Sequence, residues 1–481
     1  MTFAHGIKVK ENETSVLAPT EAETAIPFVI GTAPVNLSTT DVPVNKPILA
    51  YTYAEAAAAL GYSDDWESYS LCEFMYSHFQ LFGLSPVIFV NVLDPEVHKT
   101  TAVPTPIPMS ARSAKIEVKG IILKSLVVKS SDSSTTFDRD TDYTAAFDAE
   151  GHVVITSKPS GAIAADTSSV TVTYDKLDPT LVDEDDIIGG INNDGSVTGI
   201  ELVNQVFPRF GVLPGLVAAP GWSDHPTVAA VMVAKAGNVN GHFKAMALTD
   251  LAADQPYTEA GQWKSDNSYT TKDQIATYPM MSNGSRVFHL STLVAGRIGQ
   301  TDIDSDGIPY VSPSNKSIPA DGMALSSGED IYLGIDQVNY LNSQGIVTAV
   351  NFGSNGWRLW GNQTGAAPAS TDPKDSFVPI RRMFNWITNS IILTYMQKVD
   401  DPMNKRLIET VTDSINIWLN GLTGTGALLG GRVAFNASEN PVTDLMAGKL
   451  TFHVYLTPPS PAQEIQFLLE YDASYLASLA S

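Results

Sequence analysis

A stretch of short alternating strands interrupts a chain that otherwise reads as alternating strands and helices. The segments IPFVIGTA and PVIFVNVL predict strands that are buried on both faces. A strand-helix-strand unit begins at LPGLVAAPGW, after residue 212. Between these parts, residues 101–180 open with the proline-rich TAVPTPIPMS and continue as short strands with glycine or aspartate at the turns. The sequence therefore predicts an all-β module inserted into a discontinuous α/β domain.

A chain of 481 residues is too long for one compact core, so we expect several folded domains. We also expect an arm at each end of the chain. We assign residues 1–25 to an N-terminal extended arm, 26–100 and 186–362 to the discontinuous α/β domain, 101–185 to the inserted β domain, 366–464 to a C-terminal α/β domain and 465–481 to a C-terminal arm. Two amphipathic helices open the C-terminal domain. We expect Asp401 to cap the second of them, with Pro402 at its first helical position.

Both ends of the chain place alternating apolar residues outside the predicted domains. These residues are Ile7 and Val9 at the N-terminus and Ile465, Phe467, Leu469 and Tyr471 at the C-terminus. Such side chains can be buried when the arm adds a strand to the sheet of a neighbouring molecule. We therefore expect all six to link subunits. The alternative is a disordered leader at the N-terminus and an internal strand at the C-terminus.

The charge and the cysteine content exclude several classes of protein. Against 52 acidic residues stand 29 lysines and arginines, a net charge of -23, whereas a nucleic-acid groove needs clustered cations. Cys72 is the only cysteine, so no intrachain disulfide and no thiolate metal cage can form. The N-terminus lacks the apolar core of a secretory signal. We expect a protein that folds in a reducing compartment, with no nucleic-acid partner and no direct membrane insertion.

The run DIDSDG, residues 302–307, has the aspartate spacing of a calcium loop. A calcium loop of this type needs a bidentate glutamate at its twelfth position, which here is Pro313. Proline has no side-chain oxygen and also opposes the exit helix that such a loop requires. The sequence therefore predicts no metal here, but a solvated turn between two extended segments.

Other catalytic and cofactor signatures are incomplete. GWSDH has His225 where a nucleophile elbow needs glycine, and GTGALLG has Leu429 at the third glycine position of a dinucleotide loop. The eight histidines are scattered singly, without paired metal-ligand spacing. We assign no catalytic, cofactor-binding or metal-binding residue and expect no enzyme.

Six stretches of sequence carry a resemblance that covers nearly the full length of the chain. They are HGIKVKENETSVLAPTEAETAIPFVIGTAP, YAEAAAALGYSDDWESYSLCEFMYSHFQLFGLSPVIFVNV, DYTAAFDAEGHVV, AGRIGQTDIDSDGIPYVSPSNKSI, a helical stretch ending WLNGLTGTGALLGG, and MAGKLTFHVYLTPPSPAQEIQF. In this order they resemble the sheath subunit of contractile phage tails, tailocins and contractile injection systems. The resemblance implies an α+β multidomain fold: a subtilisin-like α/β domain interrupted by an inserted all-β module, plus a C-terminal α/β domain with extended terminal arms.

The same resemblance implies a mechanical function without a cofactor. Subunits would form a helical homopolymer around an inner tube protein, meet baseplate and tail-terminator proteins at its ends, and contract to drive the tube through a target envelope. Assembly would take place in the bacterial cytoplasm, and the product would be the sheath of a virion or of a released contractile particle. Two alternatives stay open: a divergent subtilisin-like hydrolase and a surface-exposed binding protein.

The distribution of charge suggests which part would face the tube. Residues 366–481 contain eight basic and eleven acidic side chains, a net of -3, so the first 365 residues carry -23 minus -3, or -20. The candidate tube-facing residues are Arg381, Arg382, Lys398, Lys405 and Arg406, which lie on or beside the two amphipathic helices. The alternative use of such residues is to solvate the polar face of a helix.

Overall fold

The first part of the chain supplies three strands of a large sheet. The computed structural model describes residues 19–40 and 43–479. The elements up to residue 91 are β1 (Pro27–Gly31), β2 (Ile48–Ala50), α1 (Tyr53–Leu60), α2 (Ser70–Met75), a π-helical turn (Tyr76–Leu81) and β3 (Val87–Asn91). Every residue of β1 and β3 is buried, which confirms the prediction drawn from their unbroken apolar sequence.

Residues 99–177, which we call the β-rich part, consist of short strands with a core of their own. Its strands are β4 (Lys99–Thr101), β5 (Thr105–Pro108), β6 (Ser113–Ile116), β7 (Val127–Ser130), β8 (Thr136–Phe137), β9 (Tyr143–Phe147), β10 (Val153–Ser157), β11 (Ser169–Thr173) and β12 (Asp175–Leu177). They form a sheet ordered β6-β10-β9, another ordered β5-β11-β7-β8, and the pair β12-β4. Their buried side chains, Val128, Tyr143 and Ile155 among them, form a cluster separate from the main core.

The α/β pattern then resumes. The elements that follow are α3 (Glu184–Ile188), β13 (Gly190–Ile191), β14 (Val197–Thr198), α4 (Val206–Phe210), β15 (Leu216–Ala218), α5 (Pro226–Ala236), β16 (Met246–Asp250), α6 (Tyr257–Asp266), β17 (Gln274–Thr277), β18 (Met280–Asn283), β19 (Arg286–Phe288), α7 (Leu290–Ile303), β20 (Gly322–Ala324), β21 (Asp330–Ile331), α8 (Ile335–Ser343), β22 (Ile346–Asn351) and β23 (Trp357–Trp360). The predicted helix in HPTVAAVMVAKAGNVNG is α5, and the predicted strand in FKAMALTDLA is β16.

Strands from both sides of the β-rich part pair in one sheet of eight strands, ordered β2-β3-β1-β15-β16-β17-β22-β23. The pairs from β3 to β22 are parallel, and an antiparallel strand closes each edge. The β1-β15 pair joins the two halves of the sheet, in the register Phe28 to Val217. Because parallel strands need crossover connections, the helices cover the faces and the strands become buried.

The expectation of a solvated turn at residues 302–307 is wrong for its first residues. Helix α7 continues to Ile303, so Asp302 lies in its last turn and is 3% exposed. The turn itself comes after the helix, at Asp306 and Gly307, which both have positive φ. Burial stabilises a helix as apolar as α7. Asp302 stays buried because the guanidinium of Arg382 lies opposite it.

The C-terminal part consists of helices and one hairpin. Its elements are α9 (Pro373–Ser376), α10 (Val378–Tyr395), α11 (Lys405–Gly424), β24 (Gly430–Ala434), α12 (Val442–Met446) and β25 (His453–Thr457). The expected cap at Asp401 is wrong. Asn404 caps α11 instead, because it is extended there and its side-chain oxygen accepts a hydrogen bond from the N–H of Leu407 at 2.9 Å.

The C-terminal helices share the main core with the eight-stranded sheet. Val378, Trp386 and Trp418 belong to the same continuous cluster as the strands. The connection that leads to them is also fixed, because the buried ammonium of Lys264 donates to the carbonyls of Gly365 and Ala367, both at 2.8 Å. The sheet and the C-terminal helices therefore form one packed body. No helix within the described ranges is both long and apolar enough to cross a membrane.

The separate core of the β-rich part generates a prediction about its removal. The chain enters and leaves this part at adjacent points, since the N–H of Ala102 donates to the carbonyl of Tyr174 at 2.8 Å. We expect that replacing residues 103–173 with a short glycine-serine turn leaves the eight-stranded sheet folded, because the main core loses none of its fully buried side chains and only the partly buried Ile122 from its periphery. Thermal denaturation of the shortened protein should keep one cooperative transition. Failure to recover any folded protein would contradict the proposed boundary.

Candidate functional site

A polar cluster lies at the carboxyl edge of the sheet, where α/β proteins usually bind ligands. Asp250 ends β16 and accepts hydrogen bonds from the Ser223 and Thr277 hydroxyls, at 2.8 and 2.7 Å. Ser291 adds its backbone N–H and its hydroxyl. Ser223 is 1% exposed and donates its proton to this carboxylate. The hydroxyl is therefore engaged in structure and is not placed as a nucleophile.

His289, just before α7, completes this cluster without acting as a base. Its Nδ1 lies 2.7 Å from Oε2 of Glu73, whose Oε1 accepts the backbone N–H of His289. Burial by itself would lower the pKa of His289, but the Glu73 carboxylate outweighs that effect and raises the pKa to about 10. The imidazole is thus protonated at neutral pH and cannot accept a proton from a serine. Asp250 and Glu73 thus bind Ser291 and His289 around the start of α7, and the His289–Glu73 ion pair holds α7 to α2.

The described residues contain one cluster of three possible metal ligands, and it lies outside the DIDSDG run. Asp148, Glu150 and His152, in the turn between β9 and β10, bring donor atoms within 4.8 Å of one another. Lys115 already places its ammonium 2.8 Å from the Asp148 carboxylate, and this contact lowers the pKa of Asp148 to about 2. Lys115 therefore already supplies, at this turn, the positive charge that a metal ion would bring.

Asp302, from the DIDSDG run, takes part in a buried joint between three segments. Both of its carboxylate oxygens accept from the Arg382 guanidinium, with Nη1 to Oδ1 at 2.8 Å. The two side chains are 4% and 3% exposed. The same guanidinium donates to the carbonyl of Thr24, whose hydroxyl donates to Asp302. One ion pair thus connects α7, α10 and the segment ahead of β1.

The segment ahead of β1 is held along its length by α10. We call residues 20–24, together with the α10 side chains that bind them, the arm anchor. The Thr20 N–H donates to the Thr394 hydroxyl at 2.8 Å, and the Ala22 N–H donates to the Ser390 hydroxyl at 3.0 Å. Two indoles add further bonds: Trp386 donates to the Ala22 carbonyl and Trp418 to the Glu21 carboxylate.

The bonds of the arm anchor follow from helix geometry. The α10 residues that bind the segment are Arg382, Trp386, Ser390 and Thr394, which are spaced four apart and share one face of the helix. Four helical residues rise about 6 Å, and two extended residues span about 6.6 Å. Thr20, Ala22 and Thr24 therefore meet successive turns as the segment runs antiparallel to the helix.

The four-residue spacing of the α10 side chains in the arm anchor is visible in RRMFNWITNSIILTY, but the sequence alone does not show what they bind. Arg381 and Arg382, which the sequence offered as candidate tube-facing residues, are buried within the subunit. Arg382 is 3% exposed in the joint with Asp302, and Arg381 is 9% exposed and donates to Asn385 and Asp375. Both guanidiniums lie among carboxylate and amide groups of their own chain, and these contacts offset the free-energy cost of burying the charges.

The other candidate tube-facing residues lie at the surface. The Lys405 side chain is 89% exposed, and Arg406 beside it at the start of α11 is also exposed. Lys398 lies 3.2 Å from Asp401. That they contact a tube stays a prediction.

The structure describes the candidate linking residues of the C-terminal arm only. Ile7 and Val9 lie outside the described residues. Ile465, Phe467, Leu469 and Tyr471 are 71, 83, 98 and 78% exposed and belong to no strand within the described chain. Residues 458–464 connect this arm to β25, which pairs antiparallel with β24 in a sheet of only two strands. The described chain thus combines an unburied apolar arm with an incomplete sheet.

The chain is similar to known proteins along its whole length. It is 29% identical to the tail sheath protein of Burkholderia phage BcepMu, over 99% of this chain and 98% of that protein. No family model matches it. Its fold matches the sheath complex of the extracellular contractile injection system PVC in the contracted state, with a TM-score of 0.58, 14% identity and coverage of 99% and 100% of the two chains.

A second solved structure gives the same result. The fold matches the helical sheath of the anti-feeding prophage in its contracted state, with a TM-score of 0.57, 14% identity and coverage of 98% and 100%. In sequence and in fold, the chain is thus similar to contractile tail sheath proteins along its whole length. For a sheath protein, the arm anchor and the open hairpin are the features that bear on assembly.

The buried joint predicts a large effect of removing one charge. Arg382→Met leaves the Asp302 carboxylate buried without a cation, so we expect the free energy of unfolding to fall by about 3–5 kcal/mol. Arg382→Met combined with Asp302→Leu should recover most of this loss, because no uncompensated charge remains. Denaturant titration followed by tryptophan fluorescence measures both, with Lys405→Ala as a surface control. An Arg382→Met protein as stable as the control would contradict the assignment.

Proposed function

We propose that this sheath protein polymerises as a helical sheath around an inner tube through its two terminal arms, and that contraction drives the tube through a target envelope. The arm anchor supports this proposal most directly. It holds residues 20–24 to the subunit by bonds from successive turns of α10. A tension that acts on the N-terminal arm would therefore be borne by the subunit's own core.

The C-terminal arm supports the same function from the other end. Its apolar side chains are exposed in the described part of its own subunit, and the β24-β25 sheet has only two strands within the described chain. Strand addition between subunits satisfies both needs. A contact in which the donor and acceptor surfaces differ does not close on itself, so it generates a helical filament.

The packed body supports contraction by rigid-body movement. The sheet, the C-terminal helices and the connection between them share one core, so the least costly rearrangement leaves the subunit intact and moves only its arms. We propose that the energy for contraction is stored in the contacts between subunits of the extended sheath.

We further propose that the large α/β domain is a subtilisin-like scaffold without enzymatic activity. The supporting observation is the engagement of Ser223 with Asp250 and of His289 with Glu73, which leaves no free base beside a nucleophile. A shared fold does not carry activity with it. The surface-exposed binding protein and the hydrolase are less compatible with these observations.

The partners and the location follow from the same proposal. The sheath would assemble in the bacterial cytoplasm, contact an inner tube, and meet a baseplate and a terminator at its ends. Lys398, Lys405 and Arg406 are the candidate tube-facing residues, because their charges are accessible at the start of α11 or just ahead of it.

The arms can be tested by truncation. Removing residues 1–18 keeps the arm anchor, and removing residues 463–481 keeps the hairpin. We expect each truncation to abolish tubes in electron micrographs while the thermal transition of the subunit stays nearly unchanged, because an arm that packs on a neighbour adds little to its own subunit. Full-length tubes from both truncated proteins would contradict linkage by the arms.

The tube-facing residues can be tested by charge reversal. Lys405→Glu with Arg406→Glu should weaken co-assembly with an acidic tube protein, and added salt should reduce the difference from wild type as the charges become screened. Lys124→Glu with Lys176→Glu is the matched control, since both lysines are exposed in the β-rich part. Equal co-assembly of the two double variants at low salt, measured by co-sedimentation, would remove these residues from the tube contact.

A further inference from the structure

A cavity of about 250 Å³ lies beside the arm anchor, between three segments of the main body. Residues 21–26 form one wall and residues 84–86 form another. The third wall is the end of α7 with the turn at Asp306 and Gly307, and Trp386 of α10 also lines the cavity. An apolar cavity of ~150 Å³ can hold benzene. The space beside the arm anchor therefore has room for a substituted aromatic ring.

The buried part of the lining is mostly apolar. Ala22, Ile26, Leu84 and Trp386 are between 2 and 7% exposed, and all four line the cavity. The indole N–H of Trp386 donates to the carbonyl of Ala22 at 2.8 Å, so the position of the indole ring is fixed. Ligand sites are typically apolar clefts with a few polar groups that orient the ligand. This lining favours a ligand with an apolar body.

His78 is a buried polar side chain of this lining that lacks a partner. It lies in the π-helical turn, is 2% exposed, and stacks on Phe74 with the ring centres 5.3 Å apart. Its Nδ1 is buried, and no hydrogen bond within the described residues reaches it. Because buried polar groups are nearly always hydrogen-bonded, an unpaired imidazole beside a cavity indicates a ligand group as its partner.

The charge state of His78 restricts what that ligand group can be. Burial lowers the pKa of His78 to about 3, so the imidazole is neutral at physiological pH. One ring nitrogen then carries a proton and the other carries a lone pair. A hydroxyl group can donate or accept a hydrogen bond, and it therefore fits either tautomer. A charged group fits less well, because the buried carboxylate of Asp302 is already paired with Arg382.

The entrance of the cavity carries carboxylates without cations. Glu21, Glu23 and Asp306 line the cavity with accessible side chains. No lysine or arginine is among the described lining residues. Partial burial is the only cause that raises the pKa of Glu23, so no neighbouring cation lowers it. A cleft lined by one sign of charge attracts ligands of the opposite sign. The entrance therefore favours an ammonium group.

We propose that this cavity binds a small phenolic amine, with its ring against Trp386, its hydroxyl on His78 and its ammonium group at Glu23. Tyramine has these three groups in this order and is the probe for the site. The binding site lies within one subunit, so the proposal goes beyond assembly and does not depend on it.

The position of the cavity gives binding a structural consequence. A bound molecule would contact the segment ahead of β1, the end of α7 and α10, which are the three parts that the Arg382–Asp302 ion pair connects. A ligand that binds only the folded subunit shifts the unfolding equilibrium towards that state. We therefore expect tyramine to raise the midpoint of thermal unfolding in proportion to its occupancy.

Matched probes test the two polar contacts in the full-length subunit. Phenethylamine lacks the hydroxyl of tyramine, and 4-ethylphenol lacks its ammonium group. By isothermal titration calorimetry, we expect tyramine to bind at least about fivefold more tightly than either compound, because each of them loses one polar contact. Equal affinities for the three compounds, or no binding of tyramine, would overturn the proposal.

Two variants assign the contacts to residues. His78→Phe keeps an aromatic ring and removes the nitrogens, so it should abolish the preference for tyramine over phenethylamine. Glu23→Gln removes one carboxylate at the entrance, so it should reduce the preference for tyramine over 4-ethylphenol and leave the other preference unchanged. Glu329→Gln is the matched control, because Glu329 is exposed and does not line the cavity. Variants that keep both preferences of the wild type would overturn the proposal.

A comparison of free and polymerised protein needs no variant, and so gives a result even if His78→Phe does not fold. We expect tyramine to bind the free subunit and the polymer with affinities within about threefold of each other. Loss of binding on polymerisation would show that a neighbouring chain fills the cavity, and would overturn its assignment to a free molecule. Failure of the wild-type protein to polymerise would count against the proposed function alone, since the probe comparison uses the free subunit.

Discussion

The buried ion pair between Arg382 and Asp302 is the interaction on which the rest of the structure depends. Two ionised side chains, each less than 5% exposed, are stable inside a protein only when they are paired and hydrogen-bonded. Here the pair joins the end of α7, the start of α10 and the segment ahead of β1. Once α10 is fixed in this way, its next three turns present Trp386, Ser390 and Thr394 to the backbone of residues 20–22. The core of the subunit therefore fixes the segment just ahead of β1.

The segments near the two ends of the subunit differ in how they are attached to its body. The N-terminal segment is bound firmly where it leaves the body, whereas the C-terminal arm leaves the hairpin through a proline-rich stretch and keeps its apolar side chains exposed. A polymer that must change its geometry without dissociating needs both features: rigid points of attachment and extended connections between them. The hydrogen bonds of Asp250 and the ion pair of His289 belong to the rigid part, since they hold strands and helices together.

The strands of the sheet could be predicted from sequence because a strand buried on both faces must be apolar throughout, as β1 and β3 are. The β-rich part could be predicted because short alternating strands and turn residues are local signals. The arm anchor could not be predicted with the same reasoning, since its partners are more than 350 residues apart in the chain. Arg382 shows why: on a helix, an arginine reads as a surface charge unless the buried aspartate opposite it is known, and Asp302 itself read as part of a solvated turn.

Hydrogen exchange at the arm anchor tests most directly whether the core of the free subunit fixes the N-terminal arm. The amides of Thr20 and Ala22 are bonded to Thr394 and Ser390 within the subunit, so the account predicts slow exchange at both amides in the isolated subunit and in the polymer alike. Fast exchange in the isolated subunit, with protection that appears only on polymerisation, would contradict it, because the arm would then be ordered by its neighbours and not by its own core.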